Sequence, residues 1–175
     1  NTLGVKEPYL LSNSPFYFLK NIRRGVRMLL TFDVTKKAEL ELRFTDEKLA
    51  ELTKLADKKP KEKDVLEKAL QNYLSSHHRL QSRLESLRGK NKNVDSLLEK
   101  LANRLFDHQE LFQELDDVIS KEKIDLINQA FGQNIVKAVE MNKEKMKEKL
   151  IARIKRENIG DLKKLDFVED LQEIT

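Results

Sequence analysis

Apolar positions recur at three- and four-residue intervals along most of the chain, a period that predicts helices throughout. The sharpest run is Leu66, Leu70, Tyr73, His77, Leu80, Leu84 and Leu87, a heptad seam that Gly89 would close. A matching seam of Val94, Leu98, Leu101, Leu105, His108, Phe112, Leu115 and Ile119 follows a turn at 89–93. So short a connection predicts an antiparallel hairpin, with Leu87 level with Val94, Leu80 with Leu101 and Tyr73 with His108. Upstream, Ser14-Pro15 reads as an N-cap and first helical residue. Leu19, Ile22, Val26, Leu29 and Leu30 then form an inward stripe, and Gly25 would suit a close helix approach. Asp33 or Thr35 should cap the next helix, whose Leu42, Leu49, Leu52 and Ala56 share one face, with Leu40 and Phe44 flanking it, before Pro60 ends it.

Beyond the second seam, Ile124, Ile127, Phe131, Ile135 and Ala138 continue the stripe. From 142 to 157 it thins to a ladder of Met146, Leu150 and Ile154 among Lys and Glu, which predicts a helix projecting from the bundle. Leu162, Leu165, Val168 and Leu171 suggest a last short helix after Gly160. The fold expected is therefore all-α, a long antiparallel helical hairpin or a bundle of about five helices with a short C-terminal helix. Residues 1–13 read as an extended arm, 14–141 as the bundle domain and 142–175 as a Lys/Glu-rich helical extension ending in the short acidic helix.

Charge adds to this picture through its distribution. Residues 61–92 carry +4, 93–120 carry −5 and 121–157 carry +4, so helices that fold back on one another would neutralise each other's faces. Absent cysteine removes disulfides, thiolate metal sites and thiol nucleophiles together. No apolar stretch is long enough to span a bilayer. A first residue Asn1 in place of Met suggests a processed or trimmed chain, which leaves room for a removed leader or anchor.

Candidate chemistry is sparse. His77 and His108 both occupy seam positions, which invites a metal hypothesis, but no His-x-x-x-His or Glu-x-x-His spacing supplies further ligands. The competing reading makes them core polar residues, hydrogen-bonded to Tyr73 or a neighbouring helix and fixing register. Asp107, Glu110, Glu114 and Asp117 form an acidic stripe that a straight helix spreads over about 15 Å, too far for one hard cation. Lys20, Arg23, Arg24 and Arg27 form a basic face that could meet phosphate, lipid headgroups or an acidic partner. No phosphate loop, nucleophile elbow or zinc-protease motif occurs, so no catalytic residue and no cofactor is expected. Alternating charge and few aromatics disfavour nucleic acid. Met146, Leu150 and Ile154 are the candidate edge for a protein partner or a second copy of the chain, unless the acidic tail covers them.

Pro15, Tyr17, Leu19 and Lys20, followed by Phe32-Asp33, Ala38-Glu39-Leu40 and Glu47-Lys48-Leu49-Ala50-Glu51, carry a family likeness. Over roughly residues 14–118 the sequence resembles the bacterial domain of unknown function 5667. The resemblance implies an extracytoplasmic location and no known reaction. The function expected is a non-enzymatic helical interaction or structural module outside the cytoplasm. The alternative is an envelope metal or stress sensor, or a chaperone of helical-hairpin type, using His77, His108 and the acidic stripe.

Overall fold

The protein was analysed as a computed structural model, which describes residues 24–88, 93–113, 115, 118–142, 144–149 and 152, without the side chains of 105, 106, 109, 110, 112, 113 and 139. Four long helices carry the fold: α1 (Val34–Lys58), α2 (Lys63–Glu85), α3 (Asp95–Gln113) and α4 (Lys121–Met141). Among the described residues there is no strand, and the chain is an all-α bundle. The arm at 1–13, the motif at Pro15–Lys20 and the short helix expected after Gly160 lie outside the described residues.

Local chemistry sets the helix ends. The Asp33 carboxylate accepts from the Lys36 N–H at 2.8 Å, satisfying one orphan donor of the first turn of α1. Pro60 sits in the turn after Lys59 and separates α1 from α2 by four residues. The Asn93 side chain accepts from the Asp95 N–H at 3.1 Å where α3 begins. At Asn142 the chain turns out of the helix, and its side-chain oxygen accepts from the Lys145 N–H at 3.1 Å to start the turns at 144–149.

The arrangement corrects the hairpin read from the seams. α2 packs on α1 and α4, and α3 likewise packs on α1 and α4, so the two seam helices face each other across the bundle diagonal. Ion pairs fix the directions: Glu39 with Lys100 and Asp46 with Arg104 set α1 parallel to α3, and Glu67 with Lys123 and Glu85 with Lys137 set α2 parallel to α4. A short loop fixes the reversal of direction between two helices but leaves their adjacency to the other helices. Of the neutralisation expected for the acidic 93–120 segment, the pairing with 121–157 is met at Lys145 and Asp95. In place of pairing with α2, the segment pairs with α1 through Glu39 with Lys100 and Asp46 with Arg104, and α2 pairs with α4.

Two apolar clusters fill the bundle. One joins Leu42, Leu80, Leu84, Val94, Leu98, Leu101 and Ile135, the other Leu49, Leu52, Leu70, Tyr73, Leu115 and Ile127. The seam layers do share a core, since Leu80 and Leu101 belong to one cluster. Three expectations fail. Met146 is fully buried in the first cluster, and Lys145 pairs with Asp95, so residues 144–149 return to the start of α3 and do not project. Met146 cannot line an exposed docking edge, while Leu150 and Ile154 lie outside the described residues. The stripe Val26, Leu29 and Leu30 is exposed, and a Cβ on Gly25 would meet open space.

Candidate functional site

Between the two apolar clusters lies a belt of buried or partly buried polar side chains, with one phenylalanine ring among them, to which every helix contributes. α1 supplies Asp46, α2 supplies Tyr73 and, one turn on, His77. α3 supplies Arg104, Asp107 and His108, and α4 supplies Phe131 and Asn134. Each occupies an inward position of its helix: Asp46 lies between Leu42 and Leu49, and Arg104 between Leu101 and His108, at three- and four-residue steps.

A chain of hydrogen bonds runs across the bundle. Asp46 Oδ2 accepts from Arg104 Nε at 2.8 Å and its Oδ1 lies 3.0 Å from His108 Nε2. His108 Nδ1 is 3.2 Å from the Tyr73 hydroxyl. The assignment that satisfies both contacts has His108 Nε2–H donating to Asp46 and Tyr73 O–H donating to Nδ1. Arg104 also donates to Asp107 Oδ2 at 2.8 Å. Burial opposes the Arg104 charge, but Asp46 and Asp107 more than offset it and hold its pKa above the ordinary value. Burial, with the Asp46 charge adding to it, pushes the Tyr73 phenol well above its usual range and keeps it protonated.

The second histidine sits in a different environment. His77 Nδ1 accepts from the Asn134 amide at 2.7 Å, which places its proton on Nε2. Nε2 of His77 and Oδ1 of Asn134 have no hydrogen-bond partner, and both residues are buried. Rings surround His77: Tyr73 at 4.5 Å and Phe131 at 5.7 Å between centroids, both edge-on, with His108 at 6.2 Å. Burial, followed by the nearby His108 and His78, drives its pKa well below the ordinary imidazole range, so the ring stays neutral.

The geometry thus joins His108 to Tyr73, as the seam alignment anticipated, and ties both histidines to neighbouring helices. Among the described residues no group of three or more His, Asp or Glu side chains is placed to hold a metal ion. Of the acidic stripe, Asp107 is buried against Arg104; Glu110, Glu114 and Asp117 lie outside the described side chains. Of the basic face, Arg24 turns inward to Glu47 at 2.8 Å and over the Phe44 ring, Arg27 is exposed, and Lys20 and Arg23 lie outside the described residues. Asp46, Arg104, Phe131 and Asn134 are parts of the site that their sequence positions alone did not single out. The available signal was polar residues at seam spacing, since Asn134 falls between Phe131 and Ala138 at steps of three and four.

Residues 10–108 match the model of a domain of unknown function, DUF5667, which is more than half of the chain. The chain belongs to the DUF5667 family. No curated protein and no solved structure matches it. The matched stretch of this DUF5667 chain ends at His108, so it contains the belt residues of α1, α2 and α3. Phe131 and Asn134 lie beyond it, and α4 completes the belt from outside the DUF5667 match.

Proposed function

We propose that this DUF5667 protein is a non-enzymatic helical interaction or structural module that works outside the cytoplasm and engages a protein partner or a second copy of itself. One observation carries the reading: the side chains best suited to acid–base or ligand chemistry, His77, His108, Tyr73 and Asp46, are buried at the bundle centre and bonded across helices. Groups so buried and so bonded to one another serve register and specificity better than turnover. The family likeness at Pro15, Tyr17, Leu19 and Lys20 supports the location. The test combines sedimentation of the full chain over a wide concentration range with photo-crosslinking in producing cells from Leu126 and Val136, two half-exposed apolar positions on α4. A defined complex in the extracytoplasmic fraction supports the proposal. A monomer at every concentration, with no crosslinked species, overturns it.

A second reading, an envelope metal or stress sensor or a helical-hairpin chaperone using His77, His108 and the acidic stripe, draws on the unpartnered Nε2 of His77 beside the His108 ring. Calorimetric titration with Zn²⁺, Cu²⁺, Ni²⁺ and Ca²⁺ separates the two. Tight binding that His77→Gln abolishes favours the sensor; heat changes of simple dilution remove its metal form.

A further inference from the structure

The segment entering α1 does two things at once. Val26, Leu29, Leu30 and Phe32 are 49%, 77%, 70% and 87% exposed, the largest apolar exposure among the described residues. Interleaved with them, Arg27 and Thr31 line a groove of about 560 Å³ between this segment, the first turns of α1 and the part of α3 that carries Lys100 and Arg104. The groove is also lined by Lys36, Arg43, Lys100 and Arg104. Its two carboxylates are already engaged, Glu39 by Lys100 at 2.6 Å and Asp46 by Arg104 at 2.8 Å. Arg27 and Lys36 have no carboxylate partner among the described residues, and Arg43 reaches only Glu47, at 3.7 Å, which Arg24 holds at 2.8 Å. Lys100 and Arg104 are neutralised, Arg104 by Asp107 as well, so the positive charge that faces solvent beside the apolar edge is that of Arg27, Lys36 and the weakly paired Arg43.

We infer that this edge and groove form a docking surface for an anionic phospholipid bilayer, with headgroup phosphates in the cationic groove and Leu29, Leu30 and Phe32 entering the acyl boundary. An exposed aliphatic and aromatic edge flanked by Arg and Lys is the composition that lies in a membrane interface, where apolar burial and attraction to anionic headgroups add. A second copy of the chain fits less well, because a two-fold contact would bring the same basic groove against itself. Nucleic acid would use the cations but leave Leu29 and Leu30 in water. The inference goes beyond the protein-partner reading and stands or falls separately from it, since it concerns a different face.

Flotation of the full chain with vesicles of phosphatidylcholine, with and without phosphatidylglycerol, tests it. Binding is expected only to the anionic vesicles and should weaken with added salt. Arg27→Glu and Lys36→Glu should each lower the partition coefficient by at least about fivefold, the effect of one charge near an anionic surface. Phe32→Ser should lower it by a similar factor. All three positions are exposed, and circular dichroism melts of the variants confirm that the bundle is intact. Equal binding to both vesicle types overturns the inference, as does binding that none of the three substitutions changes. Thermal stabilisation by inorganic phosphate without vesicle capture would assign the groove to a free anion instead. Dimerisation abolished by Phe32→Ser, again without vesicle capture, would assign the edge to self-association. Either result also overturns it.

Discussion

The ends of the bundle and its middle are built from different materials. At one end Leu42, Leu80, Leu84, Leu98 and Leu101 fill the space, and at the other Leu49, Leu52, Leu70, Leu115 and Ile127 do. Between them the helices meet through Asp46, Arg104, His108, Tyr73, His77 and Asn134. Leucine layers attract one another without regard to partner, and an all-leucine interior lets helices slide or exchange places. A carboxylate that must meet one guanidinium and one imidazole permits a single alignment. The difference teaches that burial at the ends supplies the cohesion, while the belt selects which helix lies beside which.

The comparison breaks most readily at Asp46. Asp46→Ala leaves Arg104 and His108 without their shared acceptor, and should destabilise by about 3–5 kcal/mol in chemical denaturation. It should also broaden or multiply amide resonances relative to those of the wild type. Leu80→Ala, in the leucine layer, comes next. It should cost about 2–5 kcal/mol through the cavity it leaves, with the resonance pattern otherwise preserved. If Leu80→Ala scrambles the helix arrangement and Asp46→Ala does not, the division of labour between ends and belt is wrong.

A smaller, pH-dependent effect belongs to His77 within the belt. Burial, then His108 and His78, hold the folded pKa of His77 well below its unfolded value of about 6.5. The unfolded chain therefore takes up a proton that the native ring refuses. The stability carried by neutral His77 is complete above about pH 6.5 and is lost as pH falls toward the folded pKa, at up to about 1.4 kcal/mol per pH unit. Denaturation of wild type and His77→Phe across this range should show a flatter acid limb in the variant. Equal limbs would assign the acid loss to other groups. The smallest effect lies outside both regions: Asp33→Ala removes the α1 cap and should cost about 1 kcal/mol, with no pH signature near 6.5.

Much of the fold was legible because amphipathic period is a direct record of burial. Leu66 to Leu87 and Val94 to Leu101 are inward where their spacing placed them, Asp33 caps α1, and Tyr73 meets His108. Helix adjacency was not legible, since a short connection between two helices constrains direction only, and the diagonal placement depends on α1 and α4 as well. The belt was hidden for a related reason. A charged residue is ordinarily a surface residue, and Asp46 and Arg104 become interior only when two helices bring them together. The segment after Met141 misled because an isolated Met in a Lys/Glu stretch looks weakly held, whereas Asn142 redirects the chain and drops Met146 into the leucine layer.

Diagonal placement of α2 and α3 also sets an order of events. Partners in the belt are distant in sequence, with separations of 58 positions from Asp46 to Arg104, 62 from Asp46 to His108, and 57 from His77 to Asn134. α1 and α2, joined by four residues against seven between α3 and α4, close the shortest connection and make the more extensive contact. Long loops must close before the belt contacts reward them. The α1–α2 pair is therefore the natural nucleus, onto which α3 and α4 dock late. Substitutions in the α1–α2 contact, such as Leu52→Ala, should slow refolding, whereas Ile135→Ala on α4 should chiefly hasten unfolding.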